Sequence, residues 1–342
     1  MIRLNRKDVI LILILFANFC LTAVVLAWYP STSCDLTKEP LFVFAHITDS
    51  HLRQSREFFG ATVDWLAAQN VSFVIHTGDI VDSKYDQRAW GEASEIMHRL
   101  DNKSLWGVLA GNHDVAGGSF DATNYQAYFG DYPMDHFFLV EDELLFILLG
   151  WDNMDGSIST ERLQWMDSVI EHYTDLKVII CLHPHLFGLS MLNIFGAPNY
   201  EEIWAHIGKH ENVIMTLCGH LHFNWVQIRD LGEQQVWSIS TEALVDKGYI
   251  RLFNVYRDRI EVHAYSPWAK QVFSSPLDCF NIELDTNNRD ADGDFWMNAS
   301  DVMPTHPLVP NGMLASLTIP IILLAYRTWV RKRERKNILT AR

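Results

Sequence analysis

The sequence Leu-Phe-Val-Phe-Ala-His-Ile-Thr-Asp-Ser-His-Leu, residues 41–52, decides how the rest of the chain is interpreted. Its apolar first half predicts a buried β-strand, which gives way to Asp49 and His51, whose side chains can face the same way. Further apolar runs end in polar residues of the same kind, at Gly78-Asp79, Gly111-Asn112-His113-Asp114, His183 and Gly219-His220-Leu221-His222. Because open α/β sheets place their sites at the carboxyl ends of strands, we expect these segments to meet in space.

The chain between residues 41 and 265 alternates strand-like and helix-like runs, which predicts an α/β fold. Strands are predicted at 41–47, 72–76, 105–109, 143–149, 177–182, 213–217, 226–229, 235–239, 249–256 and 260–264. Helices are predicted at 58–69, 87–100 and 159–172. Each polar segment follows the end of a predicted strand, an arrangement that a random scatter of His and Asp would not produce.

The polar segments supply oxygen and nitrogen ligands of the kind that hold divalent metal ions. Alone, an Asp-x-His or Gly-Asp pair is more often a polar turn, so the prediction rests on all the segments together. The two carboxylate oxygens of Asp79 can bridge a pair of ions, Asn112 offers an amide oxygen, and no thiolate is present in the segments. This ligand set suits Mn, Fe or Zn, and phosphate-ester hydrolysis uses such a metal pair.

Taken together, these motifs resemble those of the calcineurin-like metallophosphoesterase superfamily. The resemblance is carried by Asp49-x-His51, Gly78-Asp79, Gly111-Asn112-His113-Asp114, His183 and Gly219-His220-x-His222. It covers roughly residues 41–265 and implies a four-layer α/β/β/α sandwich with mixed sheets, which we place in a domain at 36–270.

The resemblance also implies a role for each motif residue. One metal would be held by Asp49, His51, Asp79 and His222, and a second by Asp79, Asn112, His183 and His220. His113 would stand outside the coordination spheres as the general acid, and Asp114 would orient it. The fourth motif often reads His-x-Pro or His-His-Pro, whereas this chain has Leu182-His183-Pro184-His185. His183 is therefore the preferred ligand and His185 the alternative.

Apolar segments near both ends of the chain predict membrane spans. Residues 9–28 carry no charge and follow a basic segment at 1–8, with a cleaved signal peptide as the alternative. Residues 308–330 precede a basic tail at 331–342, which favours a second span over a C-terminal packing helix. Both termini would then be cytoplasmic, and the domain between them extracytoplasmic.

The predicted linker at 271–307 contains an acidic stretch that resembles a calcium loop. Asn288-Arg289-Asp290-Ala291-Asp292-Gly293-Asp294 places carboxylates at alternate positions, although the glutamate expected at the end of the loop is missing. The candidate calcium ligands are Asp290, Asp292, Asp294 and Asp301, and a solvated linker is an equal alternative. Cys34 and Cys279 flank the domain and could pair as a disulfide if their geometry allows it.

The charge and the motifs together predict a metal-dependent hydrolase of phosphate mono- or diesters. The net charge is −15 and basic residues cluster at both ends, so the acidic middle disfavours binding to nucleic-acid backbones. The predicted spans make a lipid-linked phosphodiester an attractive substrate. The alternative function is a non-catalytic, metal-stabilised ectodomain that binds a partner. The complete ligand set with His113 favours the hydrolase, because a non-catalytic relative would be expected to have lost at least one of these residues.

Overall fold

The computed structural model describes residues 39–284, apart from 54, 101–104, 131–133, 142, 152, 188–195, 233, 247 and 274–276. These residues belong to one compact unit, Thr32–Asn287. Within this part of the chain, no helix is long and apolar enough to cross a membrane. The predicted spans at 9–28 and 308–330, the candidate calcium ligands and Cys34 all lie outside the described residues.

The first sheet is mixed and has seven strands, in the order β12-β11-β10-β1-β2-β3 with β13 paired to β11. Strands β1, β2 and β3 are parallel, and β10 to β13 are joined by antiparallel pairing. The strands are β1 (Phe42–Ile47), β2 (Phe73–His76), β3 (Leu105–Val108), β10 (Ile250–Val255), β11 (Arg259–Ser266), β12 (Gln271–Val272) and β13 (Cys279–Glu283).

The second sheet is also mixed and has six strands, in the order β4-β5-β6-β7-β9-β8. Strands β5, β6, β7 and β9 are parallel, and antiparallel strands β4 and β8 close its two edges. The strands are β4 (Asp135–Val140), β5 (Leu144–Leu149), β6 (Lys177–Leu182), β7 (Val213–Cys218), β8 (Trp225–Asp230) and β9 (Gln235–Ser240).

The two sheets pack face to face, and helices cover their outer faces. Between the sheets, the Phe44 ring of β1 stacks on Phe73 and Phe253 and meets the edge of Phe146 of β5 at 5.2 Å. Helices α1 and α2 pack on the first sheet, and α5 and α6 on the second. The helices are α1 (Arg56–Ala68), α2 (Gln87–Met97), α3 (Asn112–Val115), α4 (Thr123–Phe129), α5 (Thr160–His172) and α6 (Tyr200–Ile207). The two mixed sheets of the predicted sandwich are confirmed.

The structure contains elements that the sequence pattern did not indicate. Strand β4 is an edge strand whose residues are mostly half-buried or exposed, so no continuous apolar run identified it. Helix α6 has only eight residues and follows a Pro-Asn turn. Its apolar periodicity therefore extends over too few residues to indicate a helix from the sequence. Strand β13 pairs with β11 beyond residue 270, so the sheet continues into the segment that we predicted as a linker.

Candidate metal centre

The polar segments converge where the parallel strands of both sheets end. After β1 and β2, the backbones of the two loops run together, with Asp49 N–H donating to Gly78 O and His51 N–H donating to Asp79 O, both at 2.9 Å. The loop after β7 reaches across from the second sheet, because the His220 N–H donates to Asp49 Oδ2 at 2.9 Å. The predicted meeting of strand ends is therefore seen in the backbone itself.

Two groups of potential metal ligands form at this junction. Asp49, His51 and His222 make one group, and Asp79, His183 and His220 make the other, with the ligand atoms of each group within 4.8 Å of one another. Asn112 joins the second group, since its Oδ1 lies 3.1 Å from His183 Nε2. His113 also comes within 4.8 Å of His51 and Asp79. All seven predicted ligands thus lie at one place in the fold.

The chemistry of these atoms fits a bound cation. His183 Nδ1–H donates to Thr77 O at 2.8 Å, so in the neutral ring Nε2 carries only a lone pair. His183 Nε2 lies 3.1 Å from both His220 Nδ1 and Asn112 Oδ1, so nitrogen and oxygen atoms of three side chains gather at one point. Asp49 is fully buried, and its Oδ1 lies 3.4 Å from His222 Nε2 and 3.8 Å from His51 Nε2, so a buried carboxylate oxygen and two imidazole nitrogens also meet there.

Asp79 lies between the two groups and is the natural bridge. Its Oδ2 is 3.3 Å from His183 Nε2 and 3.7 Å from His51 Nε2, while Oδ1 accepts the His113 N–H at 2.8 Å. Burial opposes ionisation of Asp79, but His183 outweighs it and lowers the pKa of the carboxyl to about 2. Burial likewise opposes protonation of His183, but Asp79 and Asp49 raise its pKa to about 9. The centre therefore attracts positive charge.

The ligand loops are held in an uncommon backbone conformation. Five of the predicted ligands have positive φ angles, namely Asp49 (52°), His51 (41°), Asp79 (53°), His220 (67°) and His222 (57°). Only three other non-glycine residues share this feature in the described part of the chain. Such conformations cost about 1–3 kcal/mol each and concentrate where function requires them. The clustering points to ligand geometry as the reason for the strain.

Two glycines allow the loops to approach so closely. Gly78 has φ +107°, and a Cβ there would lie 2.6 Å from Gly111 N and 2.9 Å from His183 Nδ1. At Gly219, a Cβ would overlap Thr48 Oγ1 and Asp49 Oδ2. Glycine is therefore required at both positions if the ligand loops of the two sheets are to touch.

His113 stands at the solvent side of the centre, and a backbone carbonyl orients its ring. Its Nδ1–H donates to Asp82 O at 2.8 Å, which leaves Nε2 for a substrate. Asp114, which we expected to orient His113, instead accepts hydrogen bonds from the backbone N–H groups of Ile80, Val81 and Gly111. Asp114 thereby ties two ligand loops together, whereas the acceptor for His113 Nδ1–H is Asp82 O. Burial, with the nearby charge of Asp79, raises the pKa of Asp114 to about 7.

Trp151, which the sequence pattern does not single out, borders the candidate centre. It lies just after β5, at a strand end that the sequence pattern did not single out, and its position at the same edge as the other loops is the signal that could have identified it. Its buried ring lies 5.7 Å from the rings of both His183 and His220. It also borders a cavity of about 510 Å³ that opens beside Asn112 and His113. The candidate centre thus has an adjoining space that could hold a substrate.

Comparison with known families decides the identification. Residues 42–269 match the model of the calcineurin-like phosphoesterase family. The chain belongs to this family. The assignment agrees with the strand-end motifs and the two mixed sheets, and it supports hydrolase activity.

Curated relatives of this phosphoesterase are similar over only part of their own length. An uncharacterised Bacillus subtilis protein, YvnB, is 28% identical over 266 residues, which is 67% of this chain and 20% of YvnB. A probable glycerophosphodiester phosphodiesterase, GpdQ, of Arcobacter nitrofigilis is 29% identical over 161 residues, covering 44% of this chain and 56% of that protein. The chain therefore spans between a fifth and about half of these relatives.

Solved structures show the same fold at low sequence identity. A dimetal phosphatase from Danio rerio superposes with a TM-score of 0.57 at 18% identity, covering 72% of this chain and all of that one. A purple acid phosphatase, PPD1, from yellow lupin seeds also gives 0.57, at 12% identity, covering 75% of this chain and 55% of that one. These likenesses support the fold of the phosphoesterase domain.

The positions of His183 and His185 lead to a paired prediction. His183 Nε2 faces the ligand group, whereas His185 stacks on Phe187 with ring centroids 5.1 Å apart and its Nδ1 accepts the Phe187 N–H. We expect His183→Asn to lose at least half of the bound metal and His185→Asn to retain it, as measured by elemental analysis after gel filtration. Metal loss from the His185 variant alone would reverse the assignment.

The backbone strain leads to a second paired prediction, at His222. Its φ of 57° favours glycine, so in metal-free protein His222→Gly should be more stable than His222→Ala by about 1 kcal/mol. Both variants should lose metal affinity equally, because both lack the imidazole. Urea denaturation of the two chelated variants tests the difference, and equal midpoints would show that this backbone stores no strain.

Proposed function

We propose that the protein hydrolyses phosphate esters at a dinuclear metal centre built from the two ligand groups. The observation that carries this proposal is the position of Asp79, within ligand distance of both groups and hydrogen-bonded to the backbone of His113. One cation would be held by Asp49, His51, Asp79 and His222, and the other by Asp79, Asn112, His183 and His220. The metals are of the Mn, Fe or Zn class, since the ligands are oxygen and imidazole nitrogen.

Residues around the two ligand groups would supply proton transfer to the leaving group and hold the ligands in place. The bound metals, when present, supply a hydroxide nucleophile and neutralise charge on the phosphoryl oxygens. His113, held through Nδ1 by Asp82 O, would present Nε2–H to the departing oxygen and transfer its proton as the P–O bond breaks. Thr77 O keeps the Nε2 lone pair of His183 directed at the centre. Asp114 fixes the loops that carry Asp79 and Asn112 relative to each other.

A phosphodiester suits the site better than a monoester. Two divalent ions, the two ligand carboxylates and a hydroxide leave a net charge of roughly +1 at the metal pair itself, which matches a monoanionic diester, and the imidazolium of His113 adds its charge on the leaving-group side. Lys84 is the only Lys or Arg among the described cavity-lining residues, and its ammonium already donates to Ser119 O and Val115 O. No second Lys or Arg is present among the described lining residues to balance the additional charge of a monoester. The probable glycerophosphodiester phosphodiesterase among the relatives favours the same choice.

A comparison of two esters with the same leaving group tests the proposal. With full-length protein and Mn²⁺, we expect hydrolysis of methyl 4-nitrophenyl phosphate to exceed that of 4-nitrophenyl phosphate in kcat/KM, and chelation to abolish both. Preference for the monoester would overturn the choice of diester. If metal is bound but neither ester is hydrolysed, nor any member of a broader ester panel, the non-catalytic ectodomain becomes the better account.

The membrane setting is a separate part of the proposal. The apolar segments at 9–28 and 308–330, with basic residues on their outer sides, support a two-pass protein whose catalytic domain lies outside the cytoplasm. Such an anchor would hold the site near a membrane and favour a lipid-linked phosphodiester. A reporter fused after Arg342 should be accessible only from the cytoplasm. Its appearance on the other side would contradict the two-span topology.

A further inference from the structure

We infer that the cavity beside His113 receives the leaving alcohol of the substrate and selects an uncharged group with an apolar face. This inference rests on the proposed function and specifies its substrate. It concerns residues outside the ligand set, chiefly Tyr85, Trp151 and Met154, which line the cavity of about 510 Å³ together with His113. These side chains are the specificity-determining wall.

The position of His113 decides which part of the substrate enters the cavity. Its ring borders the cavity, and its centroid lies 4.7 Å from that of the candidate ligand His51. Because an in-line displacement separates the attacking and leaving oxygens across phosphorus, the group next to the general acid is the departing one. The alcohol that takes the His113 proton must therefore extend past Tyr85 and Met154.

Two of the three wall side chains are open to solvent, although large apolar side chains are more often buried. Tyr85 is 66% exposed and Met154 is 47% exposed, whereas Trp151 is 6% exposed and backs onto the ligands. The Tyr85 hydroxyl donates to Gly117 O at 3.3 Å, so the ring is tethered although it is exposed. Exposed apolar surface gathered at a site indicates that a ligand covers it.

Two charged residues that line the cavity beside the wall oppose both a cationic and an anionic leaving group. Lys84 lies 4.9 Å from the Tyr85 ring centroid, where its ammonium would repel a cation stacked on the same ring. Asp82 also lines the cavity and would repel an anion. Lys84 is only 3% exposed and its ammonium donates to the Val115 and Ser119 carbonyls, so little of it is accessible to an anion in the cavity. An uncharged group that packs on Tyr85 and Met154 is what remains.

Calorimetric binding of phosphinates tests the inference without turnover. Methyl(benzyl)phosphinate mimics a diester with a phenoxy leaving group and cannot be hydrolysed. With Mn²⁺-loaded full-length protein, we expect it to bind about tenfold tighter than dimethylphosphinate, as burial of a ring predicts. Analogues bearing a 4-trimethylammonio or 4-carboxylate group on the ring should lose about tenfold relative to the benzyl compound.

Substitutions in the wall should reduce this selectivity and leave the metal centre unchanged. Tyr85→Ala and Met154→Ala should each reduce the benzyl-to-methyl ratio to about threefold or less, with the same Kd for dimethylphosphinate. Val272→Ala, at another exposed apolar side chain, should leave the ratio unchanged. A wild-type ratio near one, or tight binding of either charged analogue, overturns the inference while ester hydrolysis still supports the proposed function. Absence of both phosphinate binding and ester hydrolysis overturns the two together.

Discussion

Asp79→Asn is expected to lower phosphoester hydrolysis by at least about a thousandfold and to reduce the bound metal below two equivalents per chain. The carboxylate is buried, and its oxygens lie near His51 Nε2, His183 Nε2 and the His113 N–H. Asparagine has nearly the same shape, but it removes the negative charge and one of the two oxygens that could bridge. The loss should therefore reflect the metal pair rather than unfolding.

Asp64→Asn is a suitable control for this experiment. Asp64 pairs with Arg99 at the surface of α1, far from the ligand loops, so metal content and rate should match wild type. Circular dichroism of both variants should be unchanged. If metal-loaded Asp79→Asn hydrolyses esters as fast as wild type, Asp79 does not bridge a catalytic metal pair.

His113→Asn is expected to have an effect that depends on the leaving group. For an alkyl diester, whose alkoxide leaves poorly, the rate should fall about 10²–10⁴-fold, because the departing oxygen no longer receives a proton. For a 4-nitrophenyl diester, whose phenolate leaves readily, the fall should be about tenfold or less. The two bound metals should remain, since His113 is assigned outside the coordination spheres.

His172→Ala provides the matched control, as it removes an imidazole from the end of α5, away from the centre. An equal loss for both leaving groups would contradict the general-acid role of His113. Loss of metal from His113→Asn would place this residue among the ligands, as its distance to His51 and Asp79 permits.

Much of the fold could be predicted because its sequence signals coincide. Each buried parallel strand is an apolar run, and each motif segment begins where such a run stops. The end of a predicted strand therefore indicated the position of a ligand, and the ligand confirmed the end of the strand. The edge strand β4 was missed because half-exposed antiparallel strands lack a continuous apolar run. Strand β13 was missed because it follows a stretch that resembles a linker, and it is held by pairing with β11 rather than by local pattern.

The finer features of the site have weaker sequence signals. That Asp82 orients His113 could not be read from residue type, because the acceptor is a backbone carbonyl. The role of Asp114 depended on three N–H groups from two loops, which only the tertiary structure brings together. Trp151 looked like an ordinary apolar residue, and its place beside His183 and His220 follows from the packing of the second sheet.

The most direct test of the proposed centre is a metal titration of the chelated protein. Mn²⁺ is added in measured equivalents, and the hydrolysis of methyl 4-nitrophenyl phosphate is followed together with the bound metal. The proposed centre predicts no activity without metal and a rise that ends at two bound ions per chain. Full activity in the metal-free protein, or saturation at a single ion, would contradict it.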